Sequence, residues 1–344
     1  MCQKQKSYSL MDCCEWLNLN ELENTSILIT GGTGLIGFNL IKELCSVRDK
    51  LNLTILALVR DVEKAAVKFG AYAHHVTLIE GNILDLPEIQ APIEYIIHGA
   101  SITSSKSFVE NPVETILTSV MGTTNLLELA KTKKVKSMVY LSSMEVYGSP
   151  QEKKLLSEEN VDYLNPLQVR SSYPESKRMC ESLCVAYQSE YGVPVKIARL
   201  AQTFGPGIPK NDRRVFIQFL QNALQNEDIE IKTAGKSARM YVYTFDSVTA
   251  VLSVLLNGAD AEAYNIANKD TYCSIYELAT LIADKFGSGS KVVSNTGNPE
   301  ETKMYPPDSF LYLDTSKLEN LGWKARYSLE DGLCYLMTDM EGNS

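Results

Sequence analysis

A short apolar run, Ser26–Thr30 (SILIT), passes directly into Gly31-Gly32-Thr33-Gly34-Leu35-Ile36-Gly37, and helical periodicity follows from Leu35 to Cys45. No other feature of the chain restricts its fold as strongly. Glycines at 31, 34 and 37 allow a tight strand-to-helix turn and a close backbone approach to a ligand. The unpaired amides at the helix start attract an anion such as a pyrophosphate. A glycine cluster alone also suits an ordinary turn. Its place between a strand and a helix, at the head of a βαβ unit, marks it as a dinucleotide-binding fingerprint. The candidate contacts are Gly31, Thr33, Gly34, Leu35, Ile36 and Gly37.

The sequence that follows keeps to the same plan. Apolar runs at Leu53–Val59, Val76–Glu80, Tyr95–His98, Ser137–Leu141 and Val195–Leu200 alternate with helical stretches, the longest being Val113–Lys131 and Tyr173–Tyr191. Near-continuous apolar strands separated by helices predict a parallel sheet covered on both faces. After Leu200 the texture changes: Gly205, Pro206, Gly207 and Pro209 mark a loop, and later elements are more widely spaced. The predicted architecture is an α/β, Rossmann-type doubly wound domain with a smaller mixed C-terminal lobe. Residues 1–25 form an extension and 26–200 the nucleotide-binding domain, which also receives 237–258. Residues 201–344 form the substrate lobe.

Composition narrows the partners. The chain has 344 residues, and 33 basic against 42 acidic side chains give a net charge of −9, which argues against nucleic acid or an anionic membrane as the main partner. No apolar run approaches the roughly 20 residues needed to cross a bilayer, and Met1–Glu15 lacks a secretory h-region. The eight cysteines include no CxxC, and the three histidines do not fall at zinc-ligand spacing. The expectation is a cytoplasmic protein with reduced thiols and no metal.

Further along the nucleotide-binding end, the second strand closes on Arg60-Asp61. An acidic residue there accepts the ribose hydroxyls of NAD, and an arginine holds the 2′-phosphate of NADP. Arg60 leans toward NADP and Asp61 keeps NAD open. Asn82 and Ile83 follow the third strand, where they would flank an adenine, and Ala100 lies in a small-residue turn after the fourth. His98 reads as a packed strand-end residue.

The chemistry gathers elsewhere. Tyr173 and Lys177 are four apart at a helix start and share a face. An ammonium near a phenol favours the phenolate, which makes the tyrosine a base for a substrate hydroxyl. The fifth strand leads into Ser142-Ser143-Met144-Glu145-Val146-Tyr147-Gly148. In extended chain Ser143 and Glu145 point the same way, so a serine able to bind the reacting oxygen stands beside a carboxylate. Met240–Phe245 reads as a core strand, Asp246 as the cap of the next helix, and Glu158, Glu159 and Asp162 as a solvated loop.

Taken together, TGGTGLIG, SSMEVYG and YPESK resemble the extended short-chain dehydrogenase/reductases, the NAD-dependent epimerase/dehydratase group that acts on nucleotide sugars. The pattern is most similar to UDP-glucuronate decarboxylases and sugar 4,6-dehydratases. It includes Arg170 ahead of Tyr173, Lys177-Arg178, RLAQTFGP from Arg199, Asn211 to Val215, GKSAR ending at Arg239, and Leu321-Gly322-Trp323. The resemblance implies that Ser143, Tyr173 and Lys177 are catalytic, with Glu145 acting as in dehydratases and decarboxylases. It implies substrate contacts from Ser143, Gln202, Arg214 and Arg239, and a homodimer paired through the two long helices.

There are departures from the pattern. Met144 replaces the acid of related 4,6-dehydratases, and a thioether donates no proton. Ser119 stands where an asparagine is common, and Arg60 where NAD users carry an acidic residue. The expected activity is oxidation of carbon 4 of a nucleotide-linked hexose with bound NAD+ or NADP+, followed by elimination or decarboxylation. Surface-polysaccharide precursor synthesis is the implied setting. A 4-epimerase, an NADPH-dependent keto-sugar reductase and a non-enzymatic cofactor-sensing protein are the alternatives.

Overall fold

The computed structural model describes residues 7–209, 212–295 and 308–342; Cys2 and Asn211 lie outside them. Strands β1 (Ser26–Thr30), β2 (Thr54–Val59), β3 (Val76–Glu80), β4 (Tyr95–His98) and β5 (Ser137–Ser143) build one side of a large sheet. A two-residue strand, β6 (Leu155–Leu156), then leaves it, and β7 (Val195–Leu200) returns to it. After β8 (Gln202–Phe204), β9 (Ile229–Ile231), β10 (Ala238–Arg239) and β11 (Tyr241–Tyr243) comes β12 (Ala263–Ile266). The sheet order is β12-β7-β5-β4-β1-β2-β3, and every neighbouring pair is parallel.

Alternation along the strands explains why both faces are covered. In β1, Ile27 and Ile29 face one core and Leu28 the other; β2 does the same with Ile55 and Ala57 against Leu56. Helices α1 (Leu35–Leu51), α2 (Val62–Phe69), α3 (Ser105–Glu110), α4 (Pro112–Lys133), α5 (Ser172–Tyr191) and α7 (Thr244–Asn257) supply the covering layers, and α6 (Val215–Leu224) lies in the smaller lobe. Leu40, Ile41, Leu44 and Val47 of α1 and the apolar side of α7 fill one core, whereas Leu126, Leu127 and Ala130 of α4 and Cys180 and Cys184 of α5 fill the second. Left-handed residues Asn52, Lys134 and Gly192 end α1, α4 and α5.

The smaller lobe centres on a second sheet. There β10 pairs with β13 (Cys273–Ser274) and with β15 (Phe310–Leu313), which in turn pairs with β6. Strand β14 (Val292–Ser294) pairs with β9, and α8 (Ile275–Phe286) packs against α6.

Several local expectations need correction. Met240–Phe245 is not one strand, because β11 stops at Tyr243 and α7 begins at Thr244. Asp246 does not cap that helix; it is buried and accepts the backbone amides of Arg326 and Tyr327 at 2.9 and 3.1 Å, tying the C-terminal segment to α7. Glu158 is likewise engaged, accepting the Asn265 amide at 2.8 Å. The N-terminal extension is part of the core: Leu10, Cys13, Leu17, Leu19 and Leu22 are buried. Cys13, Cys14, Cys45, Cys180, Cys184 and Cys273 carry free thiols, but Cys334 is disulfide-bonded, contrary to the expectation of reduced thiols throughout.

The close approach of α1 to the β1 turn depends on Gly37. A Cβ there would lie 2.3 Å from the Gly31 carbonyl oxygen and 2.8 Å from the Gly32 Cα. Both are backbone atoms with no room to retreat. Gly37→Ala is therefore expected to destabilise the fold by about 3 kcal/mol, at the upper end of overpacking costs. Chemical denaturation of the variant beside the parent chain checks this.

Candidate active site

Helix α1 begins directly against the glycine turn. Gly31 has a φ of +73°, and an added Cβ would sit 2.6 Å from the Gly99 carbonyl carbon. At Gly34 the same test meets only the Gly31 oxygen, at 3.2 Å, so the face of the turn is open. The first helical bond runs from the Phe38 amide to the Gly34 carbonyl, and no side chain caps the helix. The amides of Leu35 and Ile36 therefore have no helical acceptor, and no acidic residue lies in that first turn. An open glycine cradle at an uncapped helix start fits the pyrophosphate of a dinucleotide.

The flanking residues divide. Arg60 is exposed at the end of β2. Asp61 is the N-cap of α2, accepting the Lys64 amide at 2.9 Å and pairing with its ammonium at 2.8 Å. Asn82 accepts the Leu84 amide at 3.1 Å, and Ile83 is buried against Gly122 of α4. The Ala100 amide donates to Thr30 Oγ1 at 3.2 Å. His98 is buried between the Thr30 and Thr123 hydroxyls at 2.8 and 3.2 Å, and burial, with Lys177 nearby, pushes its pKa down to about 3. It is a neutral packing residue.

At the carboxyl end of β5 the expected alignment is revised. The strand ends at Ser143 and the chain turns at once into a 3-10 helix, Met144–Tyr147. Ser143 and Glu145 do not lie along one extended face. Ser143 Oγ instead accepts the Glu145 amide at 3.2 Å and starts the turn. Both Glu145 oxygens accept from Arg170, at 3.0 and 2.9 Å. The Arg170 guanidinium lies 4.8 Å over the Phe108 ring, which stacks on the Tyr173 ring at 4.2 Å with planes 10° apart. Arginine, phenylalanine and tyrosine thus form consecutive layers beside the carboxylate.

Tyr173 and Lys177 are both buried on one face of α5. The Lys177 ammonium donates to the Leu141 carbonyl at 2.7 Å and lies 5.7 Å from the Tyr173 ring centroid. Burial lowers the Lys177 pKa to about 8. The phenol behaves differently from the sequence expectation. Burial and the Glu145 charge raise its pKa, outweighing the hydrogen bond to Ser143 and the Arg170 charge that favour the phenolate.

Ser143, Glu145, Tyr173 and Lys177 therefore converge, joined by Arg170 and Phe108. The other candidates do not join them. Arg214 is engaged by Asp212 at 2.8 Å and by the Thr203 carbonyl at 3.0 Å. Gln202 is half-buried in β8, and Arg239 ends β10 without an ion pair to a described residue. Sequence reasoning missed Phe108, because one aromatic residue in a short polar helix carries no periodic signal. Among the described residues no group of three or more His, Cys, Asp or Glu is placed to hold a metal ion, and no helix is long and apolar enough to cross a membrane.

Comparisons with known proteins bear on the family and the fold. The model of the NAD dependent epimerase/dehydratase family matches residues 27–267. UDP-glucuronic acid decarboxylase 1 of Xenopus tropicalis is 32% identical over 315 residues, covering 92% of this chain and 72% of the relative. Among solved structures, UDP-glucose 4-epimerase of Thermotoga maritima superposes with a TM-score of 0.77 at 22% identity, over 93% of this chain and 99% of the other. The dTDP-glucose 4,6-dehydratase of Bacillus anthracis, in complex with NAD, gives 0.74 at 21% identity, over 93% and 97%. Likeness at these identities speaks for the fold.

Two outcomes follow from the geometry. Tyr173→Phe is expected to lower turnover by about 10²- to 10⁴-fold, the scale of a lost general base, while dinucleotide binding by calorimetry is retained. The Lys177 charge is present below pH about 8 and is lost above it. Turnover should therefore fall on the alkaline side of that pH. Lys177→Arg keeps its charge and should lack this limb in a pH–rate profile.

Proposed function

The chain belongs to the NAD-dependent epimerase/dehydratase family, and from that premise we propose that it decarboxylates a nucleotide-linked uronic acid, UDP-glucuronate first among them, through a transient ketone at carbon 4. The observation that carries this reading is the Glu145–Arg170 ion pair next to Met144. Elimination of water needs a proton on the departing hydroxyl. Met144 has none to give, and both Glu145 oxygens are taken up by the Arg170 guanidinium. Carbon dioxide leaves without being protonated.

The charges of the site suit that departure. Tyr173 takes the proton of the carbon-4 hydroxyl while Ser143 holds the oxygen. Burial and Glu145 oppose the phenolate this needs, and the Ser143 hydrogen bond, the Arg170 charge and the positive ring of an oxidised nicotinamide favour it. The Gly31–Gly37 turn would hold a nicotinamide dinucleotide, which would supply the acceptor for the carbon-4 hydride and later its donor. As the bond from carbon 5 to the carboxylate breaks, its electron pair moves onto the carbon-4 oxygen. Negative charge then shifts away from Glu145 toward Ser143, Tyr173 and Lys177. Carbon 5 takes a proton from water, and Tyr173 returns its own to the oxygen. The decarboxylase relatives support the same substrate class.

Either NAD+ or NADP+ suits the turn. With Asp61 committed to its helix and Lys64, the exposed Arg60 favours the 2′-phosphate of NADP+. The diphosphate of the substrate falls to Gln202, Arg214 and Arg239. Exposed Val113, Ile116, Leu117 and Met121 on α4, with Met179 and Val185 on α5, support a homodimer through those helices. The six free thiols support a cytoplasmic setting, against which the bonded Cys334 stands.

Mass spectrometry of the protein incubated with UDP-glucuronate, and separately with UDP- and dTDP-glucose, tests the reading. Loss of carbon dioxide from UDP-glucuronate is expected, and Glu145→Gln should slow it by about 10²-fold or more, as for a lost electrostatic group. Loss of water from a hexose, an isomer of unchanged composition, or stoichiometric oxidation of added NADPH would each overturn it.

A further inference from the structure

The turn that carries Glu145 is fastened at two places that the chemistry above does not use. From α5, Arg178 Nε donates to the Val146 carbonyl at 2.8 Å, and its NH2 donates to the Asp162 carbonyl at 2.8 Å. The Asp162 amide in turn donates to the Tyr147 carbonyl at 3.0 Å. Two carbonyls of the turn are thereby held, one from the helix that bears Tyr173 and Lys177.

The second fastening is buried. The Tyr147 hydroxyl donates to Asn265 Oδ1 at 2.7 Å and accepts from Arg199 NH1 at 3.0 Å. Arg199 pairs with Glu181 of α5 at 2.7 Å, and Glu181 also accepts from Ser142 Oγ at 2.5 Å, one residue before Ser143. The Asn265 amide group donates to the Leu156 and Asp314 carbonyls at 3.1 and 3.0 Å, next to the small sheet. Burial raises the Tyr147 pKa to about 12, so its hydroxyl keeps its proton across the neutral range.

We propose that Tyr147 and Arg178 are positioning residues for Glu145, holding its turn in register with Tyr173 so that breaking the carbon-5 bond keeps pace with oxidation at carbon 4. Neither residue reaches the reacting atoms; each acts through the turn. Both Glu145 oxygens meet one Arg170 nitrogen, NH2, at 3.0 and 2.9 Å, and a shift of the turn would cost that contact while leaving Tyr173 and Lys177 seated on α5. The two steps should therefore respond unequally to loosening.

The inference rests on the decarboxylase reading, and the test separates the two. Wild-type protein, Tyr147→Phe and Arg178→Gln are given UDP-glucuronate, and isotope effects are measured for ¹³C at the carboxyl group and for deuterium at carbon 4. Both variants are expected to lose about 10- to 100-fold in turnover, the scale for a displaced reacting geometry, with KM changed by less than about threefold. The carboxyl-carbon effect should rise and the carbon-4 effect fall, because bond breaking at carbon 5 has become limiting. In the absence of substrate, hydrogen exchange of the segment 143–148 should quicken in both variants while that of α5 is unchanged. Unaltered isotope effects, or exchange that quickens equally throughout the chain, would overturn the proposal. Wild-type protein that releases no carbon dioxide would overturn the decarboxylase reading instead, and the exchange comparison still decides whether the two residues clamp the turn.

Discussion

The buried ion pair between Glu181 and Arg199 is the joint on which the rest of the structure turns. Arg199 sits on β7, Glu181 on α5, and their side chains meet at 2.7 Å with little exposure to water. Two charges taken out of water cost several kcal/mol each unless every remaining donor and acceptor is used. Here Ser142 from β5, the Tyr147 hydroxyl and the Glu158 carbonyl complete the set. The three elements that carry the candidate catalytic side chains are therefore bound to a common point. Hydrophobic contact supplies the bulk of the stability, but it is non-directional. The ion pair specifies how strand, turn and helix are oriented.

Much of the large sheet could be read from the sequence, because each central strand is buried on both faces and so appears as an unbroken apolar run. β1, β4 and β7 begin and end where those runs do, and so does β3, although it lies at the edge of the sheet and is partly exposed. β12 was not legible: AYNI is short, contains a polar residue, and joins the edge of the sheet only because β7 is already there. The N-terminal turns were missed for a similar reason. Their buried residues are spaced for 3-10 geometry and for contact with distant segments, including the hydrogen bond from Arg326 to the Asp12 carbonyl, so neither helical nor strand periodicity marks them.

The site divides along the same line. The glycine turn and the Tyr173–Lys177 pair depend on local spacing and were visible as motifs. The partners of the Glu145 turn were not, because Arg170, which meets Glu145, and Arg178, which holds the Val146 carbonyl, lie 25 and 33 residues from Glu145 and reach the turn only after folding. The extended reading of Ser143 through Glu145 failed on one hydrogen bond: the Ser143 hydroxyl accepts the Glu145 amide and bends the chain where alternation would have kept it straight. A side chain that competes with the strand ladder for a backbone donor is a common way for such alternation to end.

The ring of Phe108, stacked on Tyr173 and fixed where Ser172 Oγ donates to its carbonyl at 2.9 Å, leaves only 8% of the tyrosine exposed. The penalty for drying that phenol is met during folding, as part of assembling α3 against α5. A ligand arriving at the site finds the local dielectric already low and little water to displace there. The electrostatic work of the reaction is in this sense done in advance, and the fold gives up some of its own stability to hold a polar group in readiness.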